Sequence, residues 1–93
     1  MHKQKILLIE DDARIAGYIS RILTSNQYDA VLAATGTEGL SLLASHCPDL
    51  VILDLGLPDV DGMRLLKSLR EWTRVPVIVV SARTHERDKV EAL

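Results

Sequence analysis

Apolar residues along the chain form four short runs, and the segments between the runs are amphipathic. Residues 6–9, 50–53 and 77–80 are continuous aliphatic runs, which are typical of strands covered on both faces. Residues 29–34 carry a weaker run of the same kind. The pattern therefore predicts four strands separated by longer connections.

The connections show helical periodicity and recognisable ends. After the first run, apolar residues follow at i, i+3, i+4 and i+7 spacing, so one stripe of this helix is expected to face the core. The stripe consists of Ile15, Tyr18, Ile19, Ile22 and Leu23. The residues predicted to begin the helices are the N-cap Asp12, the capping box of Thr35 and Glu38, the N-cap Asp61 and, for a fourth helix, Thr84. Residues 25–27 and Pro48 end the first two helices, and the third covers residues 61–71.

Strands that alternate with helices predict an α/β fold with a parallel sheet and right-handed crossovers. The expected architecture is a flavodoxin-like doubly wound sheet with strand order 2-1-3-4. Ligands bind such sheets at the carboxyl ends of the strands. The residues at these ends are Glu10 and Asp11, Asp54, and Ser81. Since the first and third strands are neighbours in this order, their carboxylates are expected to converge.

Composition narrows the functional classes. The chain has 93 residues, which predicts one domain. Thirteen acidic and eleven basic residues give a net charge of −2, which argues against a nucleic-acid-binding surface here. No apolar run approaches the roughly 18 residues that a membrane helix needs. The single Cys47 can form no internal disulfide and is expected to be semi-buried, so a reducing, cytoplasmic location fits.

Three converging carboxylates repel one another unless a cation lies between them. Hard oxygen ligands at a partly hydrated site favour Mg²⁺, which usually takes one or two carboxylates together with water and phosphate oxygens. A carboxylate beside Mg²⁺ can also attack a phosphoryl group and form an acyl phosphate. Ser81 would then offer a hydroxyl to a phosphoryl oxygen.

Three stretches together resemble the receiver domain of bacterial two-component response regulators: "ILLIEDD", "LVILDLGLPDVDG" and "VPVIVVSAR". The resemblance covers essentially the whole chain. It is closest to the winged-helix (OmpR-type) class, and particularly to regulators of the potassium-responsive KdpE type. It implies a signalling switch, not an enzyme, that takes a phosphoryl group from a sensor histidine kinase and controls a transcription-regulating DNA-binding domain outside this chain.

The resemblance also implies residue roles. Asp54 matches the phosphoacceptor, Glu10 and Asp11 match the acidic pair that holds Mg²⁺, and the backbone carbonyl of Gly56 matches the third protein ligand. Ser81 matches the hydroxyl residue that follows the phosphoryl group.

The register of the acidic residues leaves an alternative, in which Asp11 and Asp12 form the metal pair. Glu10 and Asp11 are preferred because Asp12 is the natural helix cap. Asp59 and Asp61 are interpreted as turn and cap residues.

A complete receiver has about five strands and five helices, so the chain is expected to stop before the fifth strand. The lysine and the aromatic switch residue that the fifth strand of a complete receiver carries cannot be assigned in this sequence. The aliphatic fourth strand would then be an exposed edge, which favours self-association by strand pairing.

Other functions remain open. A receiver-like interaction module that is never phosphorylated is one. A nucleotide- or flavin-binding domain would want a Gly-rich or hydroxyl-rich loop after the first strand, where this chain has acids. An aspartate-nucleophile phosphatase usually shows D-x-D there, which is absent from "EDDAR".

Overall fold

The protein alternates strands and helices, as the hydrophobic pattern predicts. Its structure, a computed structural model, describes residues 3–80. The elements are β1 (Lys5–Ile9), α1 (Ala13–Ser25), β2 (Asp29–Ala33), α2 (Gly36–His46), β3 (Leu50–Asp54), α3 (Gly62–Arg70) and β4 (Val77–Val80). Ser81 and the predicted fourth helix at Thr84 lie outside the described residues.

The four strands form one parallel sheet in the order β2-β1-β3-β4, which confirms the predicted order. Ile9 of β1 lies opposite Ala33 on one side and Leu53 on the other. Asp54 of β3 lies opposite Val80. Because every pairing is parallel, the strands end at the same edge of the sheet. This edge brings together Glu10, which follows β1, and Asp54, which ends β3.

The main core lies on the face of the sheet that α2 and α3 cover. It is built from odd-numbered strand positions, from leucines of the two helices and from Leu57 in the connection between β3 and α3. Its buried members are Leu7, Ile9, Ala33, Leu43, Val51, Leu53, Leu57, Leu65 and Leu69. Ile6 and Leu8 are also buried, and strand alternation puts them on the opposite face. Both faces of β1 are thus covered, as its continuous apolar run predicts.

The predicted core stripe of α1 is only partly correct. Tyr18 is 61% exposed and Ile22 is 45% exposed, whereas Ala16, which the stripe left out, is buried. The helix packs chiefly against β2, at one margin of the sheet. The predicted stripe of five residues is wider than the surface of α1 that packs against the sheet. Residues 3–80 therefore leave the side chains at positions 18 and 22 largely uncovered.

The connection after α2 also differs from expectation. Cys47 adopts a left-handed backbone conformation with φ 48° as the C-cap of α2. Its side chain is exposed and not semi-buried, because the turn carries it away from the sheet. Pro48 follows at once, so the helix ends where predicted.

Candidate metal centre

Three carboxylates converge at the carboxyl edge of the sheet. Glu10, Asp11 and Asp54 each offer an oxygen, and these oxygens all lie within 4.8 Å of one another. Asp54 is fully buried at 0% exposure and Glu10 is 2% exposed, whereas Asp11 is half-buried. The cluster is therefore a built feature of the fold and not a chance meeting of surface acids.

Backbone pairing holds two of these acids in place. The N–H of Glu10 donates to the carbonyl of Ala33 at 2.9 Å, which extends the β1–β2 ladder by one residue. Asp54 is the last residue of β3, and the next N–H, of Leu55, donates to Val80 at 3.2 Å. Both acids thus sit on the rigid ends of central strands.

Electrostatics at the cluster oppose full ionisation. Burial raises the pKa of Glu10, and the charges of Asp54 and Asp11 raise it further, while the Asp12 N–H, which donates to Glu10 Oε2 at 3.0 Å, partly opposes the rise. A divalent cation would relieve this repulsion. Hard, converging oxygen donors fit Mg²⁺ by their chemistry.

Asp12 has a different position from its two acidic neighbours. Its Oδ1 accepts the N–H groups of Arg14 at 2.9 Å and Ile15 at 3.3 Å, so it caps α1 as predicted. It is not among the three residues whose oxygens converge. This arrangement favours the Glu10–Asp11 pair over the alternative register.

The loop between β3 and α3, residues 55–61, borders the cluster. The N–H of Gly56 donates to Asp54 Oδ1 at 3.3 Å, which orients the Asp54 carboxylate. Asp61 caps α3 by accepting the Met63 N–H at 3.1 Å, as predicted. The role of the Gly56 carbonyl as a ligand stays a prediction, and so does the role of Ser81, which lies outside the described residues.

Gly62 permits a close approach behind Asp54. A Cβ at this position would lie 2.6 Å from the Leu55 Cα and 3.1 Å from the Asp54 carbonyl oxygen. The N–H of Gly62 also donates to the Leu55 carbonyl at 3.4 Å. The absence of a side chain thus lets α3 begin directly against the backbone of the candidate phosphoacceptor.

Asp59 does more than form a turn, which is the role that the sequence suggested. Its carboxylate accepts the N–H of Gly36 at 2.8 Å, the N–H of Thr37 at 3.0 Å and the Thr37 hydroxyl at 2.8 Å. These hydrogen bonds lower the pKa of Asp59, those from the two backbone N–H groups most. Nothing in the sequence linked Asp59 to Gly36 or Thr37, more than twenty positions away, so only the fold could show this contact.

Comparison with known proteins agrees with the fold and the site. Residues 6–93 match the family described as the response regulator receiver domain, and the chain belongs to that family. It is 48% identical over 88 residues to the transcriptional regulatory protein KdpE of Mycobacterium tuberculosis, covering 95% of this chain and 39% of the relative. It is 44% identical over 88 residues to KdpE of Escherichia coli, with the same coverage of each chain. The likeness to KdpE-type regulators is thereby confirmed, and the chain spans about two fifths of the length of these relatives.

Solved structures give the same answer for the fold. The receiver domain of the Francisella response regulator 1452 superimposes with a TM-score of 0.82 at 34% identity, covering 96% of this chain and 74% of that one. The BeF3-activated N-terminal receiver domain of Klebsiella pneumoniae RstA gives a TM-score of 0.83 at 29% identity, covering 96% and 76%. Within residues 3–80, none of the helices has the length and apolar character needed to cross a membrane.

Proposed function

We propose that this chain is the phosphorylation-controlled switch of a KdpE-type response regulator, with Asp54 as the residue that is phosphorylated. The proposal rests on the buried carboxylate of Asp54, the last residue of the central strand β3. One of its oxygens lies within 4.8 Å of a carboxylate oxygen of Glu10 and of Asp11. An acid in such a place is costly to keep ionised unless a cation accompanies it.

In the proposed reaction, an Asp54 carboxylate oxygen attacks the phosphorus of a kinase phosphohistidine. The P–O bond forms as the P–N bond breaks, and the imidazole nitrogen keeps the electron pair and takes up a proton. The Gly56 N–H holds the carboxylate in one orientation, which favours a single attacking geometry. Ser81 then donates its hydroxyl to a phosphoryl oxygen.

Glu10, Asp11 and Asp54, with the Gly56 carbonyl, would hold Mg²⁺. The ion, when bound, neutralises charge on the transferring phosphoryl oxygens. BeF3 activates the Klebsiella pneumoniae RstA receiver domain, and trifluoroberyllate attached to an aspartate has the shape and charge of an acyl phosphate. The same fluoride complex is therefore a suitable probe of Asp54 here.

The partners follow from the same proposal. The chain acts in the cytoplasm, where a sensor histidine kinase supplies the phosphoryl group and a DNA-binding domain elsewhere in the longer regulator gives the output. The 93 residues belong to the receiver, and their role is that of a switch rather than of an enzyme. A flavin- or nucleotide-binding function is disfavoured because Glu10 and Asp11 occupy the loop that would have to accept phosphate.

Phosphorylation of the isolated chain tests the function. Incubation with acetyl phosphate and Mg²⁺ is expected to add one phosphoryl group to the intact mass, and the Asp54→Ala variant is expected to gain none. Chelation of Mg²⁺ is expected to prevent the gain in the wild type. Asp61→Asn, a carboxylate change in the neighbouring loop, is the control that stays reactive. A mass gain that persists in Asp54→Ala would place the phosphoacceptor elsewhere, and no gain in any folded sample would favour an unphosphorylated interaction module.

Self-association through β4 is a further part of the proposal. Within residues 3–80, β4 pairs only with β3, and its Ile78 and Val79 are 50% and 40% exposed. An aliphatic strand of this kind can pair with a second copy. Light scattering is expected to give a mass above that of one chain, and Val79→Lys is expected to reduce it, because a charge on an edge strand discourages pairing. A monomeric mass for the wild type across working concentrations would contradict the proposal.

A further inference from the structure

Asp59 joins two parts of the molecule that are distant in sequence. The residue belongs to the loop of residues 55–61, yet all three hydrogen bonds of its carboxylate described above come from the first turn of α2, at Gly36 and Thr37. The first N–H groups of a helix have no partners within the helix, and a negative charge at this end is favoured. Asp59, the only charged residue among residues 55–60, thus holds the loop against α2.

Packing also holds the loop against the N-terminus of α2. A Cβ on Gly36 would overlap Cγ1 of Val60, the residue that follows Asp59, and would lie 3.4 Å from Asp59 Oδ1. Leu57, two residues before Asp59, is buried in the main core. The loop is therefore held on both sides of Pro58, by Leu57 in the core and by Asp59 and Val60 on α2.

The segment held in this way includes Gly56. Its N–H bonds the Asp54 carboxylate, and its carbonyl is the third proposed ligand of Mg²⁺. Asp59 lies only three positions further along the chain. A shift of the loop away from α2 would move the Gly56 backbone relative to Glu10 and Asp11, which are fixed at the end of β1.

We propose that Asp59 is a positioning residue for the metal centre: by clamping the β3–α3 loop onto the N-terminus of α2, it fixes the Gly56 backbone at the place where the cation binds. This inference rests on the proposed function, because it assigns Gly56 to that site. Asp59 does not touch the cation. Its effect on Mg²⁺ passes through the loop backbone, as it does for outer residues that orient metal ligands elsewhere.

The test compares two substitutions at Thr37, which alter the clamp without changing any charge. Thr37→Val removes the hydroxyl that donates to Asp59, and Thr37→Ser retains it. The measured quantity is the dissociation constant of Mg²⁺, obtained by calorimetric titration without a phosphodonor and checked against the Mg²⁺ concentration that half-saturates phosphorylation by acetyl phosphate. We expect it to rise about threefold in Thr37→Val, in line with the loss of one hydrogen bond, and to stay at the wild-type value in Thr37→Ser. The rate at saturating Mg²⁺ is expected to be unchanged.

Substitutions in the loop provide the stronger effect and its electrostatic control. Asp59→Ala removes the whole clamp and is expected to raise the dissociation constant of Mg²⁺ about tenfold, at the lower end of the effect of losing an outer partner of a metal ligand. Asp61→Asn also removes one negative charge from the loop but leaves the clamp, and it is expected to resemble the wild type. Equal effects in Asp59→Ala and Asp61→Asn would show an electrostatic effect alone and overturn the inference.

The inference and the proposed function fail in different ways. If the wild type is phosphorylated with Mg²⁺ while Thr37→Val and Asp59→Ala keep its Mg²⁺ dependence, only the clamp is overturned. If the wild type needs no Mg²⁺, the metal centre itself is wrong, and the clamp falls with it. Should Asp59→Ala not fold, the Thr37→Val and Thr37→Ser pair still decides the question.

Discussion

Gly62→Ala is expected to lower the free energy of unfolding by about 1–3 kcal/mol, the usual range for an inserted group in a closely packed region. The new Cβ would lie 2.6 Å from the Leu55 Cα, which is backbone and cannot swing aside as a flexible side chain would. The strain has to be relieved by moving α3 or the end of β3. Because Asp54 precedes Leu55, the same movement is expected to weaken Mg²⁺-dependent phosphorylation.

Gly17→Ala is the matched control for this prediction. Gly17 lies within α1, and a Cβ there would meet nothing within 4 Å. Alanine is favoured over glycine inside a helix by up to ~1 kcal/mol, so this variant is expected to be more stable than the wild type. Urea unfolding of the three proteins gives both differences. Equal stability of Gly62→Ala and the wild type would show that the contact at Leu55 is not close in solution.

Much of the fold could be predicted from the sequence because local rules and the global arrangement agree. The runs at residues 6–9 and 50–53 have no polar interruption, which is typical of strands covered on both faces. The caps Asp12 and Asp61 lie one residue before their helices. The strand order followed from the expected flavodoxin-like architecture, and with it the convergence of Glu10 and Asp54, since neighbouring parallel strands end together.

Other features could not be predicted because they depend on which residues pack against them in the folded chain. Tyr18 and Ile22 share the helical stripe of α1 with half-buried neighbours, and periodicity alone does not state how wide the covering surface is. The "PD" of residues 58–59 is typical of a turn, and turn statistics hide the contact of Asp59 with α2. Gly62 belonged to the recognised motif, but the reason for a glycine there is a backbone contact that only the folded chain displays.

Glu10→Gln is expected to stabilise the metal-free protein at neutral pH and to reduce the stabilisation by Mg²⁺. Glutamine keeps an oxygen that can accept the Asp12 N–H while it removes one of three close negative charges. Two unit charges about 4 Å apart repel by ~1 kcal/mol even in water, and by more where burial lowers the dielectric. The wild type instead gains about 2.7 kcal/mol when Mg²⁺ is present at 100 times its dissociation constant, and the variant is expected to lose much of this gain.

The pH dependence of this difference has a definite sign. Because the pKa of Glu10 is raised by the fold, the folded protein binds the Glu10 proton more tightly than the unfolded chain does. The resulting destabilisation is absent below the pKa of the unfolded chain and grows as pH rises through the folded pKa. In chelator, the advantage of Glu10→Gln over the wild type is therefore expected to be largest at neutral pH and to vanish in acid.

Glu38→Gln separates a local effect from a general change of charge. The Glu38 carboxylate also accepts a backbone N–H, from Ala34 at 2.8 Å, but its side chain is exposed and lies outside the three converging acids. This variant is expected to differ little from the wild type at any pH and to keep the full response to Mg²⁺. Thermal unfolding in chelator and in Mg²⁺ measures all three proteins. A Glu10→Gln protein that is less stable than the wild type in chelator at neutral pH would mean that the three carboxylates do not repel one another, and the reason for a cation at this edge of the sheet would be lost.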